Sequence, residues 1–157
     1  ETDEKEAHRK PRPNKTDLKV KTASFAQINA RITESKADVT LVHVWATWCA
    51  PCRKEFPAIV KTARHFNNDQ LNIILISADN PAKKSQVLDF LKEHNSTEGS
   101  LIAENAQKTA EQLWDDWSGG IPASFFYDRN GDVRNWWRGA HTFSKYKKTI
   151  TDLSENE

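Results

Sequence analysis

Two residues dominate any chemical reading of this 157-residue chain. They are Cys49 and Cys52, its two cysteines, in the run Trp45-Ala46-Thr47-Trp48-Cys49-Ala50-Pro51-Cys52-Arg53. An apolar, β-branched run ends at about Ala46, and a helical pattern begins at Ala50. Cys49 therefore falls at a helix N-terminus, where unpaired N–H groups and the macrodipole favour an anion. The thiolate is the nucleophilic form of cysteine. Cys52 follows one turn later, so its sulfur can reach the first. The spacing permits a reversible disulfide, with Cys49 expected to face solvent and Cys52 to lie behind it. Pro51 stands in the first turn, where its missing N–H costs little.

Other uses of two cysteines compete. Cys49-x2-Cys52-x12-His65 matches three ligands of a zinc-finger pattern, but positions 69–71 supply no second histidine. A closed structural zinc site needs four ligands. An inert disulfide would close too short a loop to stabilise the fold much by entropy. Two unrelated buried cysteines fit poorly beside a helix start. The expectation is a redox pair, with no metal and no separate cofactor.

The elements that must hold this pair alternate between strand and helix. Residues 18–21 read as a short strand. Ser24 is placed to cap a helix over 25–35, with Phe25, Ile28 and Ile32 at helical spacing. Residues 39–46 and 71–78 are nearly continuous in apolar residues, like strands buried on both faces. A helix over 50–66 carries one apolar stripe and is expected to kink at Pro57. Pro81 opens a helix to about residue 94. A strand at 101–103 and a helix at 105–114 follow. Strands at 123–127 and 133–137 flank the turn Asp128-Arg129-Asn130-Gly131, a hairpin pattern. The last helix covers 142–153. The class is α/β, a parallel sheet with an antiparallel edge. A site is expected at the carboxyl ends of the strands.

Composition narrows the partners. Lys and Arg total 23 against 22 Asp and Glu, a net charge of +1. No strong field attracts nucleic acid or an acidic membrane. Apolar runs fall far short of the 18 or so residues of a membrane span. Residues 1–15 read as a flexible polar tail, and 16–157 as one domain. No methionine occurs, even at position 1, which suits a chain from which a leader or anchor was removed. Of six tryptophans, Trp45 is expected beneath the cysteine pair and Trp48 beside it. Strand alternation sets Trp136 and Trp137 on opposite faces.

The motif Trp-Ala-x-Trp-Cys-x-Pro-Cys after a strand resembles the active site of the thioredoxin superfamily. Pro57 matches that family's helix proline. Gly120-Ile121-Pro122 before a strand resembles its cis-proline loop. The resemblance covers about residues 16–157 and implies a thioredoxin fold, a central mixed sheet flanked by helices. Cys52-Arg53-Lys54-Glu55-Phe56-Pro57 and the α-β element at about 81–103 resemble the TlpA/ResA/DsbE branch of extracytoplasmic proteins. A peroxiredoxin reading fails, because neither cysteine stands in a peroxidatic context. His43 occupies the position, six before Cys49, where the superfamily carries a buried Asp or Asn. The resemblance implies a proton-relay role there, with a satisfied core histidine as the alternative. Glu55 reads as a solvated acid near the helix start, or as a group that tunes Cys49.

The resemblance implies a thiol-disulfide oxidoreductase acting as a disulfide reductase, with Cys49 as nucleophile and Cys52 as resolving thiol. Pro122 in cis would bring the Ile121 backbone beside Cys49, where it could pair with an extended substrate. The implied partners are a disulfide-containing protein substrate and a membrane thiol reductant of the DsbD type. The implied location is the periplasm or another extracytoplasmic bacterial compartment, with anchoring through a removed N-terminal segment as an option. Pro51 before the second cysteine resembles reducing members. Two alternatives stand beside this: a cytochrome c maturation reductase of the ResA/DsbE kind, and a non-catalytic module whose two soft thiolates hold Cu(I) or a partner protein.

Overall fold

The computed structural model describes residues 17–155. The tail read over residues 1–15 lies outside them. Six strands and five helices follow in the expected order: β1 Val20–Ala23, α1 Phe25–Thr33, β2 Val39–Trp45, α2 Ala50–His65, β3 Leu71–Ser77, α3 Lys84–Glu93, β4 Ser100–Ala103, α4 Ala106–Leu113, β5 Ala123–Tyr127, β6 Val133–Arg138 and α5 Phe143–Glu155.

The first strand sits two residues later than expected, because its register is set by pairing Val20 to Ser100 on β4. The helix expected from Pro81 is split. A 3-10 turn covers Pro81–Lys83, held by the Asn80 side chain accepting from the Ala82 N–H at 2.9 Å, before α3 begins. Helix α1 opens on a full capping box: the Gln27 N–H donates to Ser24 Oγ, and the Ser24 N–H donates to Gln27 Oε1. Helix α2 runs through Pro57 as one element, with that proline on its exposed face.

The strands form one sheet in the order β1-β4-β3-β2-β5-β6. The first four are mutually parallel, β5 is antiparallel to β2, and β6 is antiparallel to β5. The α-β element at 81–103 therefore inserts β4 between β1 and β3. All seven residues of β2 are buried. Leu41 and Trp45 face a core built with Phe56 and Ile59 of α2, Leu91 of α3 and Ile150 of α5. Val42 and Val44 face a second core with Ile28 and Ile32 of α1 and Leu113 of α4. The chain thus has three layers, helix–sheet–helix, with β2 at the centre.

The β1–β4 pairing depends on a close backbone approach at Gly99. A Cβ there would meet the Lys19 carbonyl oxygen at 2.3 Å, and backbone cannot swing away as a side chain can. Gly99→Ala is expected to lower stability by about 1–3 kcal/mol, the usual scale of overpacking. The expected readout is a lower denaturant midpoint at unchanged slope; an unshifted midpoint would show that β1 is free to move aside.

Candidate active site

Cys49 caps α2, and its Sγ accepts the Cys52 N–H at 3.3 Å. The two cysteines are joined as a disulfide, with Cα atoms 5.2 Å apart. Cys49 does not face solvent as expected: it is 6% exposed, and Cys52 is 0% exposed. Cys49 remains the more accessible sulfur, but it belongs to the core against α2 and lies 3.8 Å from the Ile121 carbonyl oxygen. The Ile121–Pro122 bond is cis, as expected. Trp48 is 68% exposed beside the disulfide in sequence, and Pro51 is exposed. Trp45 is fully buried beneath, its ring 5.1 Å from Phe56 and 5.0 Å from Phe90.

A support absent from the sequence reading is Asp79, just past the end of β3. Its carboxylate accepts the Thr47 N–H at 3.0 Å and the Thr47 hydroxyl at 2.6 Å. It also accepts the Ser77 hydroxyl at 2.6 Å. Asp79 thereby ties the turn ahead of Cys49 to the neighbouring strand. The expected location of sites at strand carboxyl ends was the signal that could have found it.

On the buried face of α2 that carries Cys52 stands a chain of buried polar side chains that nearly closes on itself. Glu55 Oε2 accepts the His141 N–H at 2.7 Å and the Tyr146 hydroxyl at 2.9 Å. Tyr146 lies 2.9 Å from Ser124 Oγ, and Ser124 lies 2.8 Å from His43 Nδ1. The two atoms left over, His43 Nε2 and Glu55 Oε1, lie 3.5 Å apart. Counting donors orients the ring. Tyr146 spends its proton on Glu55, so Ser124 donates to Tyr146, and His43 Nδ1–H donates to Ser124. His43 Nε2 is then a bare lone pair. Oε2 already has two donors, so a proton on Glu55 belongs on Oε1, the atom that faces His43.

This arrangement corrects one expectation and narrows another. Glu55 is not a solvated acid but 3% exposed. Burial pushes its carboxyl up to about 7, against the lowering by its His141 and Tyr146 hydrogen bonds. His43 is fully buried, and burial pushes its imidazole down to about 3. It is neutral near pH 7, so the group that titrates there is Glu55, one turn beyond Cys52 on the same buried face of α2. The sequence reading missed Ser124, Tyr146 and His141. His65, the third zinc-pattern residue, packs its ring edge-on against Phe66 and Phe143.

A dithiol–disulfide centre on a mixed sheet, beside a cis-proline loop, places the molecule among proteins of thioredoxin-like fold. The chain belongs to the AhpC/TSA family, whose profile matches residues 13–136. It is 25% identical over 122 residues to sporulation thiol-disulfide oxidoreductase A of Bacillus subtilis (strain 168), covering 73% of this chain and 67% of that protein. It is 21% identical over 140 residues to the thiol-disulfide oxidoreductase ResA of Oceanobacillus iheyensis, covering 89% and 70%. Among solved structures, a DsbF homologue from Corynebacterium diphtheriae has the same fold, with a TM-score of 0.68 and 23% identity over 77% of this chain and 75% of that one.

The His43–Glu55 pair sets a distinctive dependence of stability on pH. Glu55 is raised from 4.5 to about 7, so its contribution is present below pH 4.5 and lost as pH rises toward 7. His43 is lowered from 6.5 to about 3, so its contribution is present above pH 6.5 and lost as pH falls toward 3. Between pH 4.5 and 6.5 folded and unfolded states each hold one proton on the pair, and the slopes cancel. His43→Asn removes one slope: its stability is expected to fall by about 3 kcal/mol from pH 4.5 to 7. Glu55→Gln leaves the other, a rise from pH 3 to 6.5. Denaturant titrations at stepped pH read both, and a flat His43→Asn curve would refute the assignment.

Proposed function

We propose that this protein is an extracytoplasmic thiol–disulfide oxidoreductase that reduces disulfides in protein substrates. The observation that carries it is Cys49 Sγ at the N-cap of α2, disulfide-linked to Cys52 and 3.8 Å from the Ile121 carbonyl. The relatives' names point the same way. The Cys-Arg-Lys-Glu-Phe-Pro run and the inserted β4 support the extracytoplasmic branch. Among the described residues no helix is long and apolar enough to cross a membrane.

In the reduced protein the Cys49 thiolate attacks one sulfur of a substrate disulfide. That bond breaks, a mixed disulfide forms, and the other substrate sulfur leaves as a thiolate that takes up a proton. Cys52 then loses its proton and attacks Cys49 Sγ. The mixed bond breaks, the second substrate thiol departs, and two electrons have passed to the substrate. Glu55, one turn beyond Cys52 on the buried face of α2 and with its carboxyl near 7, is the base this reading assigns to the Cys52 proton. The Ile121 backbone offers its edge to an extended substrate segment, a form of strand addition. Trp48 and Pro51 form the exposed surface on either side of Cys49. The resulting disulfide is reduced again by an external dithiol, a membrane reductant of the DsbD type. The reading calls for no cofactor besides the cysteine pair.

Cys49→Ser is expected to abolish reduction of protein disulfides. Cys52→Ala is expected to hold its substrate as a mixed disulfide on Cys49, visible by mass spectrometry. The reduction potential is expected nearer thioredoxin's roughly −270 mV than the roughly −120 mV of DsbA. A value near the latter would reverse the direction. Full activity in Cys49→Ser would remove the mechanism, and Cu(I) binding without turnover would favour the metal-handling module.

A further inference from the structure

Resting on that function, we propose that a cavity behind Ile121 receives a bulky apolar side chain flanking the disulfide in polypeptide substrates, and so selects among them. The cavity has a volume of about 450 Å³, within the roughly 300–1,000 Å³ of typical ligand pockets. It opens at the carboxyl ends of β2, β3 and β4, with Val44, Ile76 and Ala103 as its floor. Helix α4 and the 117–121 loop make its walls.

Three features tie it to the chemistry. Ile121 lines the cavity, and its carbonyl lies 3.8 Å from Cys49 Sγ, so the reacting sulfur and the cavity share one residue. A substrate strand running along the Ile121 backbone carries its neighbouring side chains past the cavity mouth, because alternate side chains of a strand point to opposite sides. The loop wall is also held in place before any substrate arrives. Trp117 is buried, its Nε1–H donates to the Gly120 carbonyl at 2.8 Å, and its ring packs 5.2 Å from Phe125. A preformed wall spares the ordering cost of binding. Finally, the lining is mostly apolar: Gln107, Thr109 and Ser118 are its neutral polar residues, and its one ionisable residue is Glu111, exposed on α4. Two further cavities near Arg31 are lined by several charged side chains instead. A mostly apolar interior with no cationic side chain and an acidic one at its edge suits Leu or Phe and disfavours Asp or Glu in the substrate.

The test uses the reduced protein and short peptides whose single cysteine is a mixed disulfide with glutathione. One peptide flanks the cysteine with Leu and Phe, one with Ser, one with Asp. Tryptophan fluorescence follows the single turnover that yields the protein disulfide, the peptide thiol and glutathione. The Leu/Phe peptide is expected to react about tenfold faster than the Ser peptide, the scale of discrimination an apolar pocket provides, and the Asp peptide slowest. Ala110→Phe fills the cavity from α4, facing the loop at Gly119. Ala106→Leu narrows it from an exposed position at the start of α4. In each variant the Leu/Phe-to-Ser ratio is expected to fall toward one, and a ratio cancels any loss of overall activity. Equal rates in the unaltered protein overturn the inference, as does an unchanged ratio in both variants. Reaction with the small disulfide dithiobis(nitrobenzoate) separates the two failures. If it proceeds without peptide preference, the cavity assignment alone falls; if it does not proceed, the proposed function falls, and this inference with it.

Discussion

The geometry of the centre depends on one constraint: β2 is buried on both faces at the middle of the sheet. A strand with one buried face already resists a one-residue slip, which would turn its apolar side chains to water. Here a slip would turn Leu41, His43 and Trp45 toward the α1 side and drive Val42 and Val44 into the α2 side. It would also break the pairings of His43 with Leu75 and Ser124. The register of β2 is therefore fixed by two cores at once. Because the strand leads within four residues into Cys49, the same register fixes where the helix start, and the sulfur on it, must be.

Burial on both faces also means that polar side chains of β2 must find partners inside the protein. His43 lies opposite Ser124 on β5 and donates to it, and the donor chain continues through Tyr146 to Glu55. Three elements besides β2 contribute: β5, α5 and α2. An ion pair between His43 and Glu55 would need both charges out of water, and the attraction seldom repays that desolvation. The neutral form needs neither, and its donors run head to tail from His43 through Ser124 and Tyr146 to Glu55. Desolvation is what keeps the proton on the carboxyl, against the lowering by its hydrogen bonds to His141 and Tyr146.

Much of this was legible in the sequence, and the exceptions have physical causes. Helices and strands with strong periodicity or continuous apolar runs, such as β2, β3 and α2, came out within a residue or so of their observed ends. The cysteine pair, the cis-proline loop and the α-β insertion were readable because they are local motifs. What was not readable was burial of a charged residue type. Glu55 follows Cys52 by one turn, and nothing along the chain marks an acid there as buried. Its burial comes from Tyr146 and His141, more than eighty residues away, which supply two hydrogen bonds to its carboxylate. Asp79 was missed for a related reason: its partner Thr47 lies across the sheet end. The exposure of Cys49 was misjudged because the Ile121 loop covers it, and that cover is a tertiary contact.

The ring also answers a question the cysteines raise. Reducing their disulfide delivers two electrons, and the charge that follows must be neutralised. Cys49 sits at the helix N-terminus, where the dipole and the Cys52 N–H stabilise a thiolate. Cys52 has no exposure, so a thiolate there is penalised by desolvation, and it prefers to be a thiol. One proton must therefore reach Cys52 on reduction and leave it on attack. An acid at the ordinary glutamate value would be ionised at neutral pH and have no proton to give. One buried without hydrogen bonds would hold its proton too tightly to exchange it. Glu55 lies between these limits because desolvation raises it while its two hydrogen bonds lower it. A carboxyl near 7 can both give and take a proton at neutral pH, which is the condition for acid–base work. The distant residues of the ring thus set how firmly the Glu55 carboxyl holds its proton, which is what the proposed mechanism requires of it.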